Sequence, residues 1–589
     1  MSLRPTITAL PPDTILYICR LLVKWPKPNM HAPQQPSLAA LATTNLSGLA
    51  LDVLWHTLAS LVPLLMYTLP SDLCGKVSAV DTRTWAYVEY QLVLLRDPTP
   101  ADFARFAGYT NRVKMFHRDS RVSTFYKYQI SSDLWTAVLR HSPKPLFPNL
   151  QRLHHVETDY DYRREHILER GPVYHSELFC GPGLKVADID YGGWPSDEQR
   201  PSELVRAMVH ASPRMEDLEL SAGVDYHTRV RRHTTASLSG PEVGQLHHLV
   251  RLSAFTVYVA PLALAGLASL PRLRELLLHV DPKEYDWDDL PHARKRYGVS
   301  FPALEDLELY EISLEWCVVF MHTVTSSSLW RVKIDGRGGT TVPSILLEAL
   351  CASLAEIPSQ DTIQVLSINT GPGCNTKTVK RSSEKGFVFQ KTALVEIHHP
   401  HPIAPLLSLS ALRWLALGRT CQAIADDAVL DAMTWAWPNL ESLAFCWPDG
   451  PGYRLEDVVY YPQATFYGVL LLARHCPRLT TLELAVDMRC IPDFDAWKWG
   501  PPVSLCGDEA PPLETFEPAG SVFRESDALP VAAFLSLVFP HLHTLRSPFG
   551  TTWPEMEDLC RKFSAVRWQE RDPALRIRRW RPREPHWQP

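Results

Sequence analysis

The phrase Pro-x-Leu-x-x-Leu-x-Leu recurs along most of this chain, and no other feature limits its fold as strongly. It is clearest at Pro302-Ala303-Leu304-Glu305-Asp306-Leu307-Glu308-Leu309 and returns at 271–278, 438–445 and 477–484. Looser copies start at Pro148, Pro213, Pro511 and Pro540, and copies without the proline centre on Leu184, Leu249, Leu329, Ile363 and Leu412. Together they make about 13 units, with gaps mostly of ~25–35 residues against the ~20–29 of regular leucine-rich repeats. Within each phrase the apolar residues alternate, as a strand with one buried face requires. Before several phrases (202–211, 345–354, 429–436, 467–475 and 532–538) the spacing is helical, and proline then ends the helix. This use explains why 50 prolines accompany only 27 glycines. Alternating strand and helix at this period predicts an α/β leucine-rich-repeat solenoid, with parallel strands on its concave side and helices on its convex side. A chain of 589 residues exceeds the usual limit of one compact core, which an array avoids.

Several function classes find little support. Twelve cysteines contain no CxxC pair, so free thiols in a reducing compartment are expected rather than a disulfide framework or zinc module. A net charge of −6 supplies no broad field for nucleic acid. Residues 3–10, broken by Arg4 and Pro5, make no secretory core, and the expected location is cytoplasm and/or nucleus. The uncharged stretch between Arg251 and Arg272 contains Pro261 and Pro271 and reads as a strand followed by a helix, not a membrane span. There is no GxxxxGK[ST], GxSxG or HExxH. Gly336-Arg337-Gly338-Gly339 lacks the lysine and following helix of a phosphate loop, so it reads as a surface loop. His398-His399-Pro400-His401 has no completing ligand, and Asp286-Trp287-Asp288-Asp289 reads as a solvated loop. The expectation is a non-enzyme with no cofactor and no metal.

The first residues follow a different pattern. Leu10-Pro11-Pro12-Asp13 opens a short amphipathic helix containing Ile15, Leu16, Ile18, Cys19 and Leu22, and Pro26, Pro28, Pro33 and Pro36 mark a loop. Ser37 caps a second predicted helix striped by Leu38, Leu41, Ala42, Leu46, Leu49, Ala50 and Val53, followed by Leu54-Trp55 and Leu58. Helices this short need a partner for their apolar faces. By periodicity alone, that partner is equally well another protein or the first repeats.

The ordered set Leu10-Pro11-Pro12-Asp13-x-Ile15-Leu16-x-Ile18, Ser37-Leu38-Ala39-Ala40-Leu41-Ala42 and Leu54-Trp55-His56-x-Leu58 resembles an F-box, over about 50 residues. It departs from the family in Asp13, where Glu is usual, in a longer loop between the helices, and in Asn45, Ser47 and Gly48. With the repeats, the chain is similar to the F-box/leucine-rich-repeat proteins abundant in mushroom-forming fungi. The resemblance implies a substrate-recognition subunit of a Skp–cullin–F-box ubiquitin ligase. Leu10, Pro11, Ile15, Leu16, Leu41, Leu54, Trp55 and Leu58 would then meet a Skp-family adaptor, and through it a cullin–RING ligase, while several of them pack inside the motif. The alternative is a repeat scaffold without ligase association.

The expected organisation is an F-box-like helical motif at 1–62, a helical linker at 63–146, the repeat array at 147–562 and a basic, tryptophan-containing tail at 563–589. The linker is read as helical near 84–95 and 100–109. In the tail Arg576, Arg578, Arg579, Arg581 and Arg583 stand beside Trp580 and Trp587. Residues that follow strands are the candidates for holding a protein target: Asp225, Tyr226, Asp281, Tyr285, Tyr310, Trp447, Asp487 and Met488. Neither nucleic acid nor membrane is expected as a partner.

Overall fold

The structure is a computed structural model that describes residues 47–78, 90–117, 128–156, 176–190, 200–221, 237–279, 300–336, 344–369, 402–418, 425–445, 462–489, 491, 512–518, 521, 525–546 and 553–571. The chain divides into two compact units, Met1–His279 and Val280–Pro589.

The first unit runs through α1 (Ser47–Leu54), β1 (Thr57–Leu58), α2 (Leu61–Thr68), β2 (Cys74–Ser78), β3 (Tyr90–Leu94), α3 (Ala104–Thr110), β4 (Met115–His117), β5 (Tyr128–Ile130) and α4 (Ser132–His141). It continues with β6 (Arg152–Val156), β7 (Val186–Asp190), α5 (Arg200–Ala211), β8 (Asp217–Ser221), β9 (Ser237–Leu238), β10 (Arg251–Val259), α6 (Pro261–Ala268) and β11 (Glu275–His279). Strands β1, β4, β6, β7, β8, β10 and β11 pair in that order, all parallel, and β9 pairs with the far end of β10. A separate three-stranded sheet joins β2, β3 and β5.

The second unit contains β12 (Asp306–Ile312), α7 (Leu314–Met321), β13 (Arg331–Gly336), α8 (Ser344–Ala355), β14 (Val365–Asn369), β15 (Trp414–Leu417), α9 (Asp427–Ala436) and β16 (Ser442–Phe445). Then follow α10 (Phe466–His475), β17 (Thr481–Glu483), β18 (Thr515–Glu517), α11 (Ala528–Val538), β19 (Thr544–Leu545) and α12 (Trp553–Arg571). Strands β12 to β19 pair in chain order, again all parallel. The fold is therefore α/β, built on parallel strands that add one after another.

Every one of the repeated phrases carries a strand, from β6 in the Pro148 phrase to β19 in the Pro540 phrase. The first leucine of the phrase closes a tight turn, as when Leu440 N–H donates to the Trp437 carbonyl and Leu479 N–H to that of Cys476. At the very next residue, one carbonyl of each repeat accepts two N–H groups of the next. Gln364 and Val365 donate to Trp330, Arg413 and Trp414 to Gln364, and Glu441 and Ser442 to Arg413. This shared bond sets the register between repeats whatever the length between them. The prolines act where expected: α9, α10 and α11 end at Ala436, His475 and Val538, and Pro438, Pro477 and Pro540 follow two residues later.

In each unit the middle leucine of every phrase falls into one lateral row. Leu58, Phe116, Leu153, Ala187, Leu218, Leu252 and Leu276 are registered neighbours, none more than 5% exposed. Leu307, Val332, Leu366, Leu415, Leu443, Leu482, Phe516 and Leu545 form the equivalent row of the second unit. Each fully buried side chain of this size contributes roughly 1.5–3 kcal/mol, so these rows are the spine of both cores.

Some expectations change. The stretch near 84–95 was expected to be helical, but Tyr90–Leu94 is a strand held between β2 and β5, with Leu92 buried, and 84–89 lie outside the described residues. Parallel pairing already begins at β1 and β4, within the stretches read from sequence as helical motif and linker. Before β7, β10 and β15, where the sequence predicts no helix, stand short 3-10 turns at Ser176–Phe179, Pro241–Gln245 and Ala404–Ser408. The uncharged stretch after Arg251 is β10 followed by α6. Among the described residues no helix is long and apolar enough to cross a membrane.

Candidate protein-interaction faces

Alternation along a strand means that a row of buried leucines fixes a second row pointing the other way. In the first unit that row is Thr57, Met115, Arg152, Val186, Asp217, Arg251 and Glu275, each in register with the next. Two residues further along each strand, His117, His154, Asp188, Glu219 and Ser253 make a parallel row. Their chemistry interlocks. The His117 and His154 rings stack with centroids 4.3 Å apart, and His154 Nδ1 contacts the Asp188 carboxylate. Arg251 lies among three carboxylates, 3.7 Å from Asp217, 4.0 Å from Glu219 and 3.5 Å from Glu275. Partial burial raises the carboxyl pKa of both Asp217 and Glu219, with Asp188 adding to the rise and Arg251 opposing it.

The second unit has three zones on the same face. Across β12 and β13, Arg331 bonds Asp306 at 2.8 Å and Glu308 at 2.6 Å. Lys333 donates to the Tyr310 hydroxyl at 2.8 Å, and that hydroxyl donates to Glu308 at 2.5 Å. Burial lowers the affinity of Arg331 and Lys333 for their protons, but their partners more than offset this and both pKa values rise. Burial, reinforced by the bond to Glu308, raises that of Tyr310. The next zone carries small side chains around one aromatic: Val365, Trp414 and Ser442 are registered neighbours, with Ser367, Ala416 and Ala444 in the row beyond, and Ser442 and Ala444 are buried. Trp414 is 52% exposed. The last zone is a ladder of Thr481, Thr515 and Thr544, with Glu483 opposite Glu517.

One device aligns the helices behind the second sheet. Asp427, at the start of α9, accepts the Thr465 N–H at 2.8 Å, the Thr465 hydroxyl at 2.6 Å and the Gly468 N–H at 3.0 Å. It thereby caps α10 from the previous repeat. A Cβ at position 468 would lie 2.5 Å from both the Asp427 carboxylate and Leu430, so any larger residue there has to displace the capping side chain. In the first unit Ser202 has the comparable place: its hydroxyl donates to the Ser237 carbonyl at 3.1 Å and accepts the Ser239 N–H at 2.9 Å.

Of the candidate adaptor residues, Leu10, Pro11, Ile15, Leu16 and Leu41 lie outside the described residues. Leu54 is half-buried at the end of α1. Trp55 and Leu58 are 8% and 5% exposed, with Trp55 edge-on to Tyr109 at 5.3 Å and Leu58 in the buried leucine row. They pack within the first unit and offer little surface. Of the candidate target residues, Asp225, Tyr226, Asp281, Tyr285 and Trp447 lie outside the described residues, as do 398–401, 286–289 and the tail after Arg571. Tyr310 sits on the strand face. Asp487 makes an isolated parallel bridge to Thr465, and two bonds from the Arg489 guanidinium hold its carboxyl below the usual range. Met488 corrects the expectation, because it is fully buried and belongs to the core. Sequence reading missed Trp414, although the phrase Leu412-Arg413-Trp414-Leu415 places a large aromatic at a position the pattern assigns to solvent. Among the described residues no group of three or more His, Cys, Asp or Glu side chains could hold a metal ion. Burial raises the thiol pKa of Cys180, Cys476 and Cys560 to about 12, so these are packing residues rather than nucleophiles.

No family model matches the chain, and no curated protein matches it. Among solved structures, the crystal structure of the Rad7 and Elc1 complex in yeast matches over 62% of this chain and 87% of that chain, at 14% identity and a TM-score of 0.27.

Proposed function

We propose that this chain is a recognition subunit of the F-box/leucine-rich-repeat kind: its strand faces hold a protein target, and its N-terminal segment binds a Skp-family adaptor of a cullin–RING ubiquitin ligase. The observation that carries the recognition half is the pair of outward rows. They place charged, aromatic and small side chains in fixed lateral order on a backbone whose opposite face is locked in the core. Such a surface is rigid before binding, which lowers the entropy cost of association. The ligase half rests on the ordered residues from Leu10 to Leu58 and their resemblance to an F-box. On this reading the chain contributes proximity rather than chemistry, holding a target near a charged conjugating enzyme in cytoplasm and/or nucleus.

The test is a pull-down of purified Skp-type adaptor by the full chain and by a Leu10→Ala/Pro11→Ala double variant. Capture by the parent, lost in a variant with an unchanged thermal melt, is the expected result. A folded parent that captures no adaptor overturns the ligase half. The second reading, a scaffold without ligase association, is favoured by one observation. Trp55 and Leu58 are consumed by packing inside the first unit, as in a cap for the array.

A further inference from the structure

The outward face of the first unit sets two histidines beside a carboxylate in one lateral row, and that juxtaposition has a chemistry of its own. His117 on β4 and His154 on β6 are registered neighbours, their rings 4.3 Å apart and inclined by 24°. Asp188 on β7 is registered with His154, and its carboxylate meets His154 Nδ1. Next in the row stands Glu219, whose raised carboxyl pKa is due mainly to burial, with Asp188 adding to the rise and His154 opposing it. A carboxylate in contact with an imidazole favours the imidazolium, whereas a second imidazolium stacked on the first meets like-charge repulsion. Among the described residues, Arg152 stands two positions before His154, β8 and β10 bring Asp217 and Arg251, and Lys185 at the head of β7 is bonded to Glu216. A two-residue step along a strand is about 6.6 Å. Arg152 therefore opposes a proton on His154 less than Asp188, in direct contact, favours it. Thr57 and Met115, on the first two strands, add no charge.

We infer that His117 and His154 form a one-proton switch on the outward face of the first unit: as pH falls through the neutral range, a single proton settles on His154 against Asp188 while His117 stays neutral. The row then changes from two neutral rings beside two carboxylates to a bonded imidazolium–carboxylate pair, and the face gains one positive charge. The second proton enters only in stronger acid. This is the face that the proposed function gives to a target, so a role for the switch in recognition rests on that reading. The proton site itself does not.

The test follows the histidine Cε1–Hε1 signals of the full chain, made with isotope-labelled histidine, across about pH 5–9. His117→Gln and His154→Gln assign the two signals. The expected result is two separate titration steps, with His154 at the higher pH. Asp188→Asn should lower the His154 step by about one pH unit or more, and His154→Gln should raise the His117 step. Thermal melts give an independent reading whose sign follows from linkage. A histidine proton held more tightly in the folded state stabilises fully below the unfolded value of about 6.5, and that stabilisation is lost as pH rises through the folded value. His154→Gln should therefore cost Tm most in acid, with the cost shrinking as pH rises. His117, which resists its proton when folded, has the opposite sign, and His117→Gln should cost Tm least in acid. A single step shared by both rings overturns the inference, as does a His154 step indifferent to Asp188→Asn. Tm costs that are independent of pH in both variants overturn it as well. Any of these defeats the switch and leaves the proposed function standing, whereas failure to capture an adaptor leaves the switch untouched.

Discussion

The two units share a buried leucine row and differ in the row that faces away from it. In the first unit the outward side chains engage one another: His117 stacks on His154, His154 meets Asp188, and Arg251 serves three carboxylates. In the second unit such engagement is concentrated across β12 and β13. Beyond it the face turns to Trp414, small residues and threonines. The backbone is indifferent to this change, since the same shared carbonyl bonds link the repeats in both. Lys185 and Val186 donate to Gln151 as Thr480 and Thr481 donate to Glu441. The inner row is constrained by burial and must stay apolar, while the outer row is free to diverge. That freedom is how a single repeat yields two surfaces of different chemistry.

The sharpest way to break this comparison is to mutate the part that both units share. Leu218→Ala and Leu443→Ala, each at a fully buried position in its row, should both cost about 2–5 kcal/mol in denaturant unfolding. A much smaller loss in one unit would mean that its row does not carry the core. Next in size is the capping of helices between repeats. Asp427→Ala removes three bonds to the start of α10 and should cost about 2 kcal/mol, against about 1 kcal/mol for Ser202→Ala in the first unit. Equal losses would show that charge adds nothing to the cap.

The smallest effect separates the units by pH. Asp217 and Glu219 have raised carboxyl pKa values, so the folded state holds their protons more tightly than the unfolded chain does. Their contribution is full below the unfolded pKa and is lost as pH rises through the raised folded value. Asp217→Asn/Glu219→Gln should therefore raise Tm slightly at pH 7, with the gain shrinking on acidification. Asp487 of the second unit has a lowered pKa, and the sign reverses. Its stabilisation is present above the unfolded pKa and lost as pH falls through the folded value, so Asp487→Asn should lower Tm at pH 7 and matter less in acid. Parallel pH dependences in the two variants would contradict the environments assigned to these carboxylates.

Strands were legible in the sequence wherever a phrase held its leucines, because alternation is a local consequence of burying one face. The helices at Asp427–Ala436, Phe466–His475 and Ala528–Val538 were legible for the same reason, and Pro438, Pro477 and Pro540 marked their ends. The short turns before β7, β10 and β15 were not, since a few apolar residues fit a 3-10 turn as well as a helix. Met488 followed a strand and read as surface, whereas it is buried. Trp414 was present in the pattern as a misplaced aromatic but gained meaning only from its neighbours. The residues from Leu10 to Leu41 rest on resemblance alone.

By itself, then, the sequence determined which residues enter the core and where each repeat begins, because burial and turn geometry act within a few residues. The tertiary structure decided which outward residues stand side by side. Asp217, Arg251 and Glu275 come from separate repeats, as do Asp427 and Gly468 or Trp414 and Glu483, and the lengths between them vary. Only the backbone bonds linking one repeat to the next bring them into register, and that pairing is not encoded in the spacing of any one segment.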